Sequence, residues 1–228
     1  MADIKLNVIK PSVNNMTVRV FVRAAGLDFE ETDVYGNTRT PEFLSRNPSH
    51  LTPMLEVENL PRKALWESCA IMQYLCNEHE LTKFYPTDPK KRAMIDSAMF
   101  YLIGTFYPLL SRATYPTLKF GQYPGEVGWS DADQPTKDKA AQHAAEAIAE
   151  PLDVFKTFYI GEQSFIGGES PSIADIRLSA TLEFLGAIDY ALPQWAKDYM
   201  KRMEDALGNA YTEPANDVRG YIKWVRSA

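Results

Sequence analysis

The stretch VIKPSVNNMTVRV, residues 8–20, ends an alternating apolar run and opens a helical one, with Ser12 at the corner and the amides Asn14 and Asn15 just beyond. A serine there can cap the helix by accepting from an exposed N–H. It can equally keep its hydroxyl for a ligand. No His–Asp relay stands near it in the sequence, so a hydrogen-bond donor fits better than a nucleophile. Glu67 and Ser68 open a second helical pattern in LWESCAIMQYL (65–75). The free N–H groups of a helix start attract an anion, and a serine adds a donor. On residue types alone, first-turn capping explains the pair as simply. Thr52–Pro53 starts a strand in NPSHLTPML (47–55), with His50 two residues earlier as a loop side chain or a ligand, and with Arg46 and Asn47 close by. Arg112 is a lone cation in the apolar stretch FYLIGTFYPLLSRATYPTLKF (100–120), where it can snorkel to solvent.

The elements that must hold these residues follow from periodicity. Ile4, Leu6 and Val8 alternate as a strand, and Val13, Met16, Val20 and Val22 suit a helix that Gly26 ends. DFEETDV (28–34) predicts a second strand, and TPEFLSRNP (40–48) a short helix opened by Pro41. PMLEVE (53–58) and ALW (64–66) predict two more strands, and residues 67–79 a helix. The order β-α-β-α-β-β-α is a parallel βαβ half followed by an antiparallel hairpin half. YPTDPKK (85–91) reads as a linker. Beyond it lie helical patterns at 92–115, bent at Pro108, at 136–160 with Ile148, Leu152, Phe155 and Tyr159 on one face, at 172–189 and at 193–207, with a Gly/Pro/Asp-rich loop at 121–135. Ser172 with Asp175 three residues on spells a capping box with Asp in place of Glu, a structural feature. The reading is α+β: residues 1–82 one domain, 83–91 a linker, 92–228 an all-helical domain.

The chain has 228 residues, 12% aromatic, with a net charge of -6. That balance argues against nucleic acid and anionic membrane surfaces as partners. Three scattered histidines and two cysteines seven apart suggest no metal cluster, and Cys69 and Cys76, two turns apart on one helix, are too distant to bridge. No basic-then-apolar leader is visible, and no apolar run is expected to reach a membrane span. The expectation is a soluble, reduced, cytoplasmic protein.

KPSVNNMTVRV (10–20), NPSHLTPML, LWESCAIMQYL and PSIADIRLSATL (171–182), in this order and at this spacing, resemble the cytosolic glutathione transferases, in particular the serine-type theta and delta branch. The resemblance spans nearly the whole chain and implies a thioredoxin-like domain followed by an all-helical one. It implies glutathione as co-substrate, no permanently bound cofactor, and a homodimer. By resemblance, Ser12 donates to the glutathione thiolate, helped by Asn14 or Asn15. Thr52 and Pro53, the latter cis, offer a backbone edge to the peptide. Glu67 and Ser68 hold the γ-glutamyl end, and His50 the glycine carboxylate. A hydrophobic electrophile, an epoxide or an alkyl halide, would sit against Phe106, Tyr107, Leu110 and Tyr115, with Arg112 available for a developing oxyanion or halide and the C-terminal YIKWVRSA (221–228) closing the pocket. Two departures stand out. Val-Asn-Asn follows Ser12 where serine-type members often have proline or a small residue, and Cys69 stands where many delta members carry Arg. A glutathione-dependent isomerase or ether-cleaving lyase, or a non-catalytic module of the same fold, are the alternatives. A thiol–disulfide reductase is disfavoured, because neither cysteine is at the Ser12 corner.

Overall fold

The computed structural model describes residues 4–118 and 132–227. Four strands, β1 (Ile4–Val8), β2 (Phe29–Asp33), β3 (Met54–Glu56) and β4 (Ala64–Trp66), form one sheet in the order β2-β1-β3-β4. β1 runs parallel to β2 and antiparallel to β3, and β3 to β4 is antiparallel, as the two-halves reading requires. Helix α1 (Val13–Ala24) crosses between β1 and β2. Its residues from Asn15 to Val22 are all buried, because one face lies on the sheet side and another meets helices of the second domain. It ends at Gly26, φ 66°, with Gly26 N–H donating to Arg23 O and Leu27 N–H to Val22 O. This paired closure satisfies two orphan carbonyls and needs a residue tolerant of positive φ. Thr40 caps the short α2 (Pro41–Arg46) by accepting from Phe43 N–H. Helix α3 (Ser68–Glu78) completes the N-terminal unit.

The second unit is helical. A continuous helical run covers α4 (Pro89–Tyr101), a π-helical segment (Leu102–Phe106) and α5 (Tyr107–Leu118). Pro108, expected to bend this run, is the second residue of α5, just beyond the π segment. The wider turn removes the clash that a proline ring makes with the carbonyl four residues back. By length and composition this run does reach a membrane span, contrary to the sequence expectation. In this fold Ile95, Met99, Leu102, Phe106 and Leu110 spend its apolar side on the core. The predicted helix at 136–160 is two, α6 (Gln134–Ala147) and α7 (Ala149–Val154), followed by a second π segment (Phe155–Ile160). Its predicted stripe of Ile148, Leu152, Phe155 and Tyr159 is buried. Of the loop predicted at 121–135, residues 121–131 lie outside the described residues.

Helix α8 (Ile173–Phe184) is buried at every position and packs on α1, α4 and α9 (Gln194–Leu207). Its start is fixed by Asp175, which accepts from the backbone N–H groups of Ile166, Gly167 and Ser172 and from the hydroxyls of Ser172 and Tyr199, at 2.6–3.0 Å. Burial pushes this carboxyl above its usual range, while those donors pull it back. Helix α10 (Asn209–Ser227) lies on α1, tied by Arg19 to Asp217 and Arg23 to Glu213. Residues of both units belong to one hydrophobic cluster.

Candidate active site

A cleft of about 510 Å³ opens where the sheet side meets α5. Ser12, Asn14, His50, Thr52, Pro53, Glu67 and Ser68 line one wall, and Tyr107 and Tyr115 the other. Segments up to a hundred residues apart therefore converge on one space.

Ser12 is the N-cap of α1 in extended conformation, yet its side chain makes no capping hydrogen bond. The first turn of α1 carries no acid, so its positive end is not neutralised locally. A spare hydroxyl and a helix N-terminus thus face the same cleft. The two asparagines divide. Asn14 Nδ2 donates to Tyr107 Oη at 3.1 Å, across the boundary between the two units. Asn15, fully buried, donates instead to Thr52 Oγ1 at 2.9 Å and is not part of the cleft lining. Asn15 therefore holds Thr52 from behind the cleft wall.

The Thr52–Pro53 peptide is cis. Both residues line the cleft at the head of β3. Glu67 precedes α3 with φ 73° and ψ 111°, a region L-residues rarely occupy, and its side chain is exposed and makes no cap. Ser68, the first residue of α3, is buried to 6% exposure at the cleft floor. His50 also has positive φ, 52°, at the end of a turn. Asn47 builds that turn: its Nδ2 donates to Leu51 O at 2.7 Å, and its Oδ1 accepts from Ser49 N–H and Oγ–H. Asn47 is thereby committed to the turn, and Arg46 is paired with Glu56 and Glu42. Neither is part of the cleft lining, whereas His50 is.

On the opposite wall the structure corrects the predicted stripe. Phe106 and Leu110 are 0% and 1% exposed and belong to the core. Arg112 is half-buried on α5 and is not part of the cleft lining. Tyr107 and Tyr115 do reach the cleft, with their hydroxyls 3.0 Å apart. The C-terminal segment does not close it either: Tyr221 Oη donates to Leu118 O, and Trp224 is 60% exposed on α10.

One residue that sequence reasoning passed over is Arg177, on α8 within the recognised PSIADIRLSATL segment. It is 1% exposed, and among the described residues no carboxylate lies within ion-pair distance of it. Its guanidinium sits 5.1 Å from the Tyr107 ring centroid, its Nη1 is 3.5 Å from Thr17 Oγ1, and its Nε has no hydrogen-bond partner. Burial pushes the neighbouring Cys69 thiol up, and Arg177 and Ser68 only partly counter this. Cys76 is pushed up to about 12, mainly by burial. Neither thiol is a nucleophile in waiting. Among the described residues no cluster of three or more metal-ligating side chains occurs.

Known proteins match this description. Residues 3–77 match the family described as glutathione S-transferase, N-terminal domain. Glutathione S-transferase D6 of Drosophila melanogaster is 28% identical over 81% of this chain and 78% of its own length. Among solved structures, a Bombyx mori glutathione transferase, BmGSTD1, is 28% identical with a TM-score of 0.77, covering 98% of this chain and 96% of that one. A delta-class glutathione transferase of Nilaparvata lugens is 26% identical with a TM-score of 0.74, covering 97% and 99%. Human glutathione transferase theta-2, at 19% identity, TM-score 0.79 and 99% and 90% coverage, shares the fold. Residues 3–77 thus match the N-terminal domain of the glutathione S-transferases, and over nearly its whole length the chain is similar in fold to these transferases.

Proposed function

We propose that this chain is a glutathione transferase of the serine type, with Ser12 donating a hydrogen bond that keeps the glutathione sulfur as thiolate for attack on a small hydrophobic electrophile, an epoxide or an alkyl halide. The observation that carries the reading is the Ser12 hydroxyl: it stands at a helix N-cap, makes no cap, and lines the cleft beside Thr52–Pro53 and Glu67–Ser68. A thiol of ordinary pKa, about 8.5, is largely protonated at neutral pH. Lowering it by about two units needs roughly 2.7 kcal/mol of preferential thiolate stabilisation. A charge-assisted hydrogen bond, about 1.5–3 kcal/mol, and the unneutralised end of α1, about 1 kcal/mol, together reach that.

In this reading the tripeptide lies along the cleft wall. Its backbone pairs with Thr52, its γ-glutamyl carboxylate meets Ser68 and the start of α3, its ammonium meets Glu67, and its glycine carboxylate meets His50. The electrophile lies against Tyr107 and Tyr115. Two free cysteines suit a reduced, cytoplasmic setting. A homodimer is part of the proposal, and the exposed Met94 and Phe100 of α4 offer apolar surface for it.

Ser12→Ala tests the chemistry. Glutathione is expected still to bind, with its thiolate absorbance titrating about two units higher, and kcat/KM near neutral pH is expected to fall about 100-fold. The loss should shrink as pH rises past the thiol's free value, because the thiolate then forms unaided. Unchanged rates would remove Ser12 from the reaction.

A further inference from the structure

Arg19 and Arg177 are both 1% exposed, and only the first is paired. Arg19 meets Glu31 and Asp217. Arg177, among the described residues, has no carboxylate within ion-pair distance. Its contacts are the Tyr107 ring at 5.1 Å and Thr17 Oγ1 at 3.5 Å, and its Nε has no hydrogen-bond partner. A buried cation without a counter-charge is costly, so the missing anion is one that a ligand can bring. That anion has a place. Burial raises the Cys69 thiol, and Arg177 and Ser68 both pull it back, so the guanidinium reaches the first turn of α3. Ser68 lies on the cleft floor, and the acid that opens this turn, Glu67, is exposed. Helix α3 has eleven residues, no acid inside its first turn and no side-chain cap, so its N–H groups are open to an anion as well. Positive potential from each unit of the chain thus converges at one end of the cleft.

We propose that Arg177 is the counter-charge for the α-carboxylate at the γ-glutamyl end of the tripeptide, acting from beneath the cleft floor without touching it. The inference rests on the glutathione reading above and adds to it a positioning residue from the all-helical unit. Ser68 and the N–H groups of α3 orient the carboxylate, and Arg177 supplies the full charge that those dipoles lack. The ligand in turn neutralises the guanidinium, so binding removes an unpaired charge that the ligand-free chain carries. The selectivity that follows is for a free carboxylate at this end of the ligand. An amide of the same shape forfeits it.

Three ligands test this by calorimetric titration of the full chain: glutathione, its analogue with the γ-glutamyl α-carboxylate as an amide, and its analogue with the glycine carboxylate as an amide. Arg177→Met is expected to weaken glutathione and the glycine amide about tenfold each, and the α-amide less than about twofold, because the α-amide lacks the charge that Arg177 answers. Arg177→Lys is expected to recover most of the loss, since the residue acts as a charge and not as a bidentate fork. Without ligand, Arg177→Met should melt no lower than the unmodified chain, because an apolar side chain replaces an unpaired charge. Equal losses on all three ligands, or glutathione binding that Arg177→Met leaves intact, would overturn the proposal. If Arg177→Met does not fold, Arg177→Gln, which stays polar and drops the charge, is read by the same ratio of α-amide to glycine amide. A lower melting temperature in both variants would show that the guanidinium is spent on the fold, and would overturn it too. An unmodified chain that binds none of the three ligands defeats the glutathione reading itself. One that binds glutathione and its α-amide equally defeats only this assignment.

Discussion

Two serines, Ser12 and Ser172, occupy the same place in a helix, the N-cap, in the same extended conformation. Ser172 is spent on the fold: it is 1% exposed, and its N–H and hydroxyl both reach Asp175 at 2.7 Å. Ser12 is spared: its hydroxyl makes no cap and faces the cleft. The difference extends to the surroundings. Around Asp175 five donors converge on one carboxylate, and around Ser12 the cleft presents polar groups at strained or uncapped backbone, Glu67 and His50 among them. A polar group satisfied inside the protein stabilises the fold and cannot serve a ligand, and a group left open does the reverse.

The strongest way to break this contrast is at Asp175. Asp175→Ala leaves the N–H groups of Ile166, Gly167 and Ser172 and the Tyr199 hydroxyl without their acceptor in a buried site. The expected loss is about 4 kcal/mol, read as a lowered urea midpoint or Tm. Ser12→Ala, on the same assay, should stay within about 0.5 kcal/mol of the unmodified chain. A mild effect at Asp175 would mean that the cluster is not the anchor of α8 that its geometry makes it.

Helix α1 repeats the contrast along its own length. Its N-terminus serves the cleft, and its far half is clamped. Arg19, 1% exposed, pairs with Glu31 and Asp217, and Arg23 pairs with Glu31 and Glu213, so β2, α1 and α10 are tied together. Burial alone would raise the Glu31 carboxyl, but the two guanidiniums outweigh it and hold it below the ordinary 4.5. A depressed acid contributes stability that is full above its unfolded value and is lost as pH falls through the lower folded one. Glu31→Gln should therefore cost roughly 3 kcal/mol at pH 7, and the variant should show a shallower loss of stability below about pH 4 than the unmodified chain. The bound-glutathione thiol titration should not move, because the clamp lies at the end of α1 away from Ser12. A shifted titration would join the two ends of α1 that the structure keeps apart.

The same contrast explains what could be read in advance. Ser172–Asp175, Gly26, Pro41 and the Glu67–Ser68 helix start are local signals, each confined to a few residues, and each stands where its spacing put it. The order of strands and helices was legible for the same reason. Which side of α5 faces the cleft was not. Phe106, Leu110 and Ala113, four and three apart, turn to the core, while Tyr107 and Tyr115 flank that stripe and reach the cleft. A π segment just before α5 resets the phase, and hydrophobicity alone does not tell a buried aromatic from a lining one. Arg177 was out of reach altogether. It meets Tyr107 seventy residues away and Thr17 one hundred and sixty residues away, and local spacing does not show such partners. The sequence leaves Asn14 and Asn15 as equal alternatives beside Ser12, but successive helical residues point about 100° apart, and the structure gives one to Tyr107 and the other to Thr52.

The smallest effect is also the most pointed. Glu67 keeps φ 73° and ψ 111° without being glycine, and its carboxylate makes no cap to α3 in return. Such a backbone costs about 1–3 kcal/mol in an L-residue. Replacing Glu67 by Gly removes that strain and gives back about 0.5–1 kcal/mol through the freer unfolded chain. The net expectation is a fold more stable by about 1 kcal/mol, with a weaker hold on glutathione because the anion facing its ammonium is gone. Urea unfolding and glutathione titration, run on the same protein, check the two halves together. A variant less stable than the parent would show that Glu67 contributes to the fold, and the division between spent and spared polar groups would fail at the residue where it is drawn most sharply.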